Sequence, residues 1–121
     1  LRVDMTTANN TKYYAEYSRF YIDGAPRYTV HCRSYSGTAG DTFHAHFPYE
    51  TNFDGMDFVT RDRDNTDHCG HNYHAGWWYA NCYNANLNGD YAIPGTLEET
   101  GIRWLEDLAD AGSLKFVEMK L

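Results

Sequence analysis

The chain has 121 residues, room for one domain, with 10 Lys and Arg against 17 Asp and Glu and a formal net charge of −7. That balance argues against the basic face that a nucleic-acid or anionic-membrane partner needs, and no uncharged apolar run approaches the roughly 20 residues of a membrane span. Leu, Ile, Val and Phe make only 20 residues, a share low enough to suggest disorder, but the 11 Tyr and 3 Trp argue for a folded domain, because each aromatic ring can bury about 150–250 Å² of surface.

In chain order, Leu1–Met5 reads as a strand. With no leader and no initiator Met before it, the chain reads as a piece of a longer protein. Asn9-Asn10-Thr11 is an N-glycosylation sequon. Tyr13–Ile22 is a second strand, followed by the turn signal Asp23-Gly24. Its pattern changes phase: Tyr13, Ala15 and Tyr17 share one face, Phe20 and Ile22 the other. A bulge, or burial on both faces, would account for that. Tyr28–Tyr35 is a third strand. The stretch from Gly37 to about Gly101 has little periodicity and reads as long functional loops. Within it, Gly76-Trp77-Trp78-Tyr79 argues against disorder, because adjacent large rings need a packed home. Ile102, Leu105 and Leu108 fall at helical spacing, which predicts a short helix over Ile102–Ala111 ending near Gly112. Lys115–Leu121 closes the chain as a strand, with Val117, Met119 and Leu121 alternating against Glu118 and Lys120.

The middle segment carries the candidate chemistry. Asp62-Arg63-Asp64-Asn65-Thr66-Asp67 offers closely spaced oxygens of the kind Ca²⁺ takes, without the Gly and closing Glu of an EF-hand; a solvated acidic turn is the alternative. His68, His71 and His74 recur beside Cys69, with His44-Ala45-His46 upstream. Zinc would suit such ligands, but the paired cysteines of a structural zinc site and a His-Glu-x-x-His motif are both missing, which favours surface histidines. No Gly-x-Ser-x-Gly, phosphate loop or nicotinamide fingerprint is present, so no enzyme signature is found. Pairing Cys69 with Cys82 would close a loop around Gly76-Trp77-Trp78 and add about 3 kcal/mol of stability. Cys32 is then left as a buried free thiol or a bridge to another chain.

The run Asp62-Arg63-Asp64-Asn65, Cys69, Gly76-Trp77-Trp78-Tyr79, Cys82 and Asn86-Leu87-Asn88-Gly89 resembles the fibrinogen-like C-terminal domain of fibrinogens, ficolins, tachylectins and angiopoietins. Leu1-Arg2-Val3-Asp4, Tyr14-Ala15-Glu16-Tyr17, Tyr35-Ser36-Gly37-Thr38-Ala39-Gly40-Asp41, Gly101-Ile102 with Trp104, and Leu114-Lys115-Phe116 follow in that family's order. Only the later part of such a domain is covered, without its N-terminal subdomain.

The resemblance implies a fibrinogen C-terminal-like α+β fold. A short antiparallel sheet would come from residues 1–39 and 113–121, and a loop-rich calcium and ligand subdomain from 40–112. It implies a secreted, non-enzymatic, calcium-dependent recognition module of innate immunity that binds acetylated or microbial surface glycans. The alternative is a protein-binding extracellular module such as a receptor ligand, matrix or coagulation component. Oligomers would raise avidity, and an apolar edge of the sheet would favour association. By the family pattern Asp64 ligates Ca²⁺; Thr66 stands where a second carboxylate is usual, and Asp67 would substitute, with nearby backbone carbonyls completing the shell. Cys69 and Cys82 form the disulfide. Tyr73, Asn81, Cys82 and Tyr83 line the ligand pocket, and the Asn81–Cys82 peptide bond is expected to be cis, turning backbone N–H groups toward an acetyl oxygen. Glu98, Glu99, Asp110, Ala111 and Gly112 stand where lectin-like members place far-wall aromatics, which implies either a preference for cationic or amino-bearing ligands or weak binding of acetyl groups. Trp77 and Trp78 are assigned to the core.

Overall fold

The structure, a computed structural model, describes residues 1–44 and 52–121; His46 of the upstream histidine pair lies outside them. Four strands make one antiparallel sheet: β1 (Arg2–Thr6), β2 (Lys12–Ile22), β3 (Val30–Gly37) and β6 (Phe116–Lys120). The spatial order is β3-β2-β1-β6, so the last strand returns to lie beside the first. A two-stranded ladder joins β4 (Ala85–Asn86) to β5 (Arg103–Trp104).

Alternation on β1 sends Val3 and Met5 into the core, while Arg2 and Asp4 face outward. The outward face is an ionic ladder. Arg2 bonds Asp4 at 2.9 Å and Glu16 at 3.2 Å, and Lys120 reaches Asp4 at 2.5 Å and Glu118 at 3.3 Å. The hydrogen bonds from Arg2 and then Lys120 hold the Asp4 carboxyl below its usual range. The sheet face is therefore polar. Exposed apolar groups of the sheet sit on the β6 edge, at Phe116 and Met119, and at the end of β2, at Tyr21 and Ile22.

The phase change in β2 is real, but no bulge makes it. Pairs on both sides of the break keep one register, from Tyr17 opposite Tyr35 to Arg19 opposite Arg33 and Phe20 opposite Cys32. Ser34 takes a left-handed backbone, φ 59°, and re-aims β3 without an extra residue. The inward positions of both strands switch phase together, from buried Tyr17 and half-buried Tyr35 to half-buried Phe20 and buried Cys32.

The expected helix over Ile102–Ala111 does not form. Arg103 and Trp104 are extended in β5, and only Ala109–Ala111 make a 3-10 turn. The reason is tertiary. The Leu105 N–H donates to Asn84 O at 2.7 Å, and the fully buried Trp104 Nε1–H donates to Ala39 O at 2.9 Å. Ten residues gain too little from an isolated helix to overcome those contacts. Besides that turn, the four-residue α1 (Cys69–Asn72) is the only helix among the described residues, so the fold is antiparallel sheet with few helices.

Between the sheet and β4–β5 lies an aromatic core. Trp77, Trp104, Tyr17, Tyr79, Phe43 and Phe53 are its largest fully enclosed rings. Phe43 touches four aromatic neighbours at once: Tyr17 at 5.0 Å, Phe53 at 5.7 Å, and Trp77 and Trp104 at 6.3 Å between centroids. Trp77 and Trp78 are buried, as core positions should be. Short backbone bridges stitch the loops to this core, including a reciprocal pair between Val59 and Trp77 at 2.9 and 3.0 Å. Cys32 is a buried free thiol, and burial pushes its pKa up to about 12, so it is inert in the folded chain.

Trp104 fills the centre of the core and holds the turn at Ala39-Gly40. Trp104→Ala is expected to lower stability by about 3–5 kcal/mol, read from the urea midpoint at constant m-value.

Candidate functional site

The site is built around the disulfide. Cys69 and Cys82 are joined, with Cα atoms 5.4 Å apart. Cys69 opens α1, and left-handed residues at His68 (φ 61°) and His74 (φ 58°) turn the chain on either side of it. The Trp77–Tyr79 segment is then pulled into the core, and Ala80 N–H donates to Cys82 O at 2.9 Å as the chain turns back out.

Tyr73, Asn81, Cys82 and Tyr83 line one cavity of about 210 Å³, together with Glu99 and Leu105. The structure thus brings together all four pocket residues expected from sequence. The rings of Tyr73 and Tyr83 meet edge to face, 4.7 Å between centroids. Tyr83 Oη donates to Glu99 O at 2.6 Å. Burial pushes this phenol up to about 12, so it stays a donor at neutral pH. Of the five residues expected on the far wall, Glu99 alone reaches the cavity; Glu98, Asp110, Ala111 and Gly112 do not line it.

One expectation is corrected. The Asn81–Cys82 bond is trans; among the described residues the cis bond is Ala25–Pro26. A secondary amide favours trans by about 2.5–4 kcal/mol, whereas X–Pro bonds favour it by about 1 kcal/mol or less. The inward-facing amides expected from a cis bond therefore do not arise from that peptide.

Asn86 holds the pocket together from behind, and its role was hidden in sequence within Asn86-Leu87-Asn88-Gly89. It is fully buried. Its Oδ1 accepts from Tyr79 Oη at 2.9 Å, and its Nδ2 donates to Tyr73 O at 3.2 Å and Gly101 O at 3.3 Å. One amide thus ties the Tyr73 side of the pocket to the segment that carries Glu99. A buried side chain with both donor and acceptor capacity is what this junction needs, and Asn supplies both. Gly89 belongs to the same junction, since a Cβ there would fall on the carbonyl oxygens of Thr100 and Gly101. Leu105 was also missed, because the segment around it reads as helical in sequence.

The acidic loop lies on another side. Asp64 Oδ1 accepts from the backbone N–H of Thr66 at 2.9 Å and from the Thr66 hydroxyl; Asp64 Oδ2 accepts from Gly70 N–H at 2.9 Å. The Thr66 hydroxyl in turn accepts from Cys69 N–H at 3.1 Å. Burial alone would raise the Asp64 pKa, but these donors, with the backbone of His71, outweigh it and hold the carboxyl below its usual range. Asp67 is exposed. Calcium takes about six to eight oxygen ligands. Here the half-buried Asp64 carboxylate already accepts from donors of its own loop on both oxygens, and the adjacent Thr66 hydroxyl both donates and accepts. So arranged, Asp64, Thr66 and Asp67 do not fit a calcium ion.

Among the described residues no three His, Cys, Asp or Glu converge to hold a metal. His74 pairs instead with Asp90 at 2.7 Å, and His68 and His71 are exposed. A larger groove of about 610 Å³ runs past Arg27, Asp57 and Asp62–Asn65. Its carboxylates are engaged within the chain, Asp57 with the Thr29 hydroxyl and Asp62 with that of Thr60, both at 2.8 Å. The smaller pocket, with exposed Glu99 beside two half-buried rings, has more recognition chemistry still free.

Removing the Asn86 amide leaves Tyr79 and two carbonyls without their partner. Asn86→Ala is expected to cost about 1–3 kcal/mol in urea unfolding and to weaken any ligand of the Tyr73–Tyr83 pocket.

This geometry has relatives. Human tenascin-R is 38% identical over 125 residues, covering 100% of this chain and 8% of the relative. Fibrinogen C domain-containing protein 1-A of Xenopus laevis is 37% identical over 135 residues, covering 100% of this chain and 27% of the relative. The chain thus spans under a third of the length of either. A solved lamprey fibrin D-dimer, complexed with the peptide Gly-His-Arg-Pro-amide, superposes with a TM-score of 0.85 at 31% identity, covering 96% of this chain and 42% of that one. No helix among the described residues is long and apolar enough to cross a membrane. The family described as the C-terminal globular domain of fibrinogen beta and gamma chains matches residues 1–121, and the chain belongs to it.

Proposed function

We propose that the chain is an extracellular, non-enzymatic binding module whose Tyr73–Tyr83 pocket takes the cationic end of a protein or peptide partner. The observation that carries this reading is the cavity itself. Two half-buried phenol rings form its walls, and Glu99 stands exposed at its rim. Aromatic faces attract cations, and a carboxylate beside them adds charge and hydrogen-bond acceptors. The peptide complexed with the lamprey relative, Gly-His-Arg-Pro-amide, contains a cationic arginine. A disulfide suits the oxidising space outside the cell.

A second reading is an acetylated or microbial glycan, with the same two rings as an apolar wall for the methyl group. The trans Asn81–Cys82 bond and the acidic rim favour the first reading over it.

Labelled Gly-His-Arg-Pro-amide and an N-acetylglucosamine resin separate the two. The peptide should bind with a rise in fluorescence anisotropy. Tyr83→Ala should abolish that rise, and Glu99→Gln should weaken binding roughly tenfold. Retention on the resin without peptide binding would move the assignment to glycans. Peptide binding that ignores both substitutions would overturn the pocket as its site.

A further inference from the structure

The Asp64 loop departs from the calcium chemistry that its family resemblance leads one to expect, and the departure has a structural logic. A loop that carries Cys69 must be fixed, because α1 and the pocket wall follow from that residue. A cation fixes such a loop by gathering carboxylates and carbonyls around itself. Here the carboxylate of Asp64 gathers N–H and O–H donors instead: the backbone amides of Thr66 and Gly70, each at 2.9 Å, and the Thr66 hydroxyl. Thr66 is the pivot. Its hydroxyl proton goes to Asp64, and its oxygen accepts from Cys69 N–H at 3.1 Å. A carboxylate at position 66 has no proton to give at neutral pH, so it could not make the first of these bonds and would face Asp64 as a like charge. The substitution that removes a usual calcium ligand is therefore the one that lets the loop close on itself.

We propose that the Asp64–Thr66 clamp does the work of a cation in this chain, so that the loop, the disulfide and the pocket wall keep their geometry without calcium. Thr66 is a positioning residue: it acts through Asp64 and the Cys69 amide and need not touch any ligand.

The test uses the unmodified chain and the metal alone, with no pocket ligand, so its result is independent of which partner the pocket takes. Melting is followed in millimolar CaCl2 and in EDTA. A site filled at about a hundred times its dissociation constant would raise Tm by roughly 10 °C, whereas the clamp predicts a difference within about 1 °C. Terbium luminescence sensitised by nearby tyrosines should stay at the buffer level. Thr66→Val, which keeps the side-chain shape and deletes the hydroxyl, should lower Tm by about 5 °C, equally in both buffers. A calcium-dependent rise in Tm, saturable terbium luminescence, or a neutral Thr66→Val would each overturn the proposal.

Discussion

Phe43 sits where the three parts of the molecule meet. Tyr17 reaches it from the sheet, Phe53 and Trp77 from the loops, and Trp104 from the β4–β5 ladder. A chain this poor in aliphatic residues has few other ways to build a core. Rings give large buried area per residue and favour edge-to-face contacts at 4.5–7 Å, so one cluster can fasten segments that have no regular structure of their own. The tryptophan Nε1–H groups add direction: Trp104 holds the turn at Ala39, and Trp78 holds the hairpin connection at Tyr28 O, 2.8 Å away. What fixes the loops is thus the placing of indoles and phenols, more than secondary structure.

The pocket inherits its shape from that cluster. Tyr79 is buried against the core and hands its hydroxyl to Asn86. Asn86 then spans to the backbone of Tyr73 and to Gly101. The disulfide closes the loop that carries Tyr73, and Tyr83 follows directly after its second cysteine. Recognition chemistry sits at the surface, on Tyr73, Tyr83 and Glu99, while the groups that aim it are enclosed. The acidic loop contributes on the same principle, with Asp64 spending its oxygens on local donors and fixing the entry to α1.

Much of this could be read from the amino acids. The four sheet strands follow from aromatic and β-branched runs bounded by turn residues, with clean alternation only in the last, and each is found within two residues of its expected bounds. The disulfide and the convergence of Tyr73, Asn81, Cys82 and Tyr83 came from resemblance to a family pattern. Spacing alone does not show which side chains of a loop without periodicity turn toward one cavity. The helix expected over Ile102–Ala111 does not form because the helical spacing of Ile102, Leu105 and Leu108 is overridden by contacts from Asn84 and Ala39, about 20 and 65 residues upstream. The phase change in β2 was visible, but its cause, a left-handed serine on the neighbouring strand, has no sequence signal. The saturation of Asp64 was likewise illegible, since composition counts carboxylates without showing which donors reach them.

Native-state amide hydrogen exchange tests most directly the claim that the aromatic cluster, and not the sheet alone, holds the loops that form the site. The amides of Phe53, Trp77 and Leu105 donate across loop bridges to Phe43, Val59 and Asn84. If the cluster holds these loops, they exchange only through global unfolding, with the same free energy and denaturant dependence as the amides of β1. Fast exchange of those three through local opening, while β1 stays protected, would contradict it.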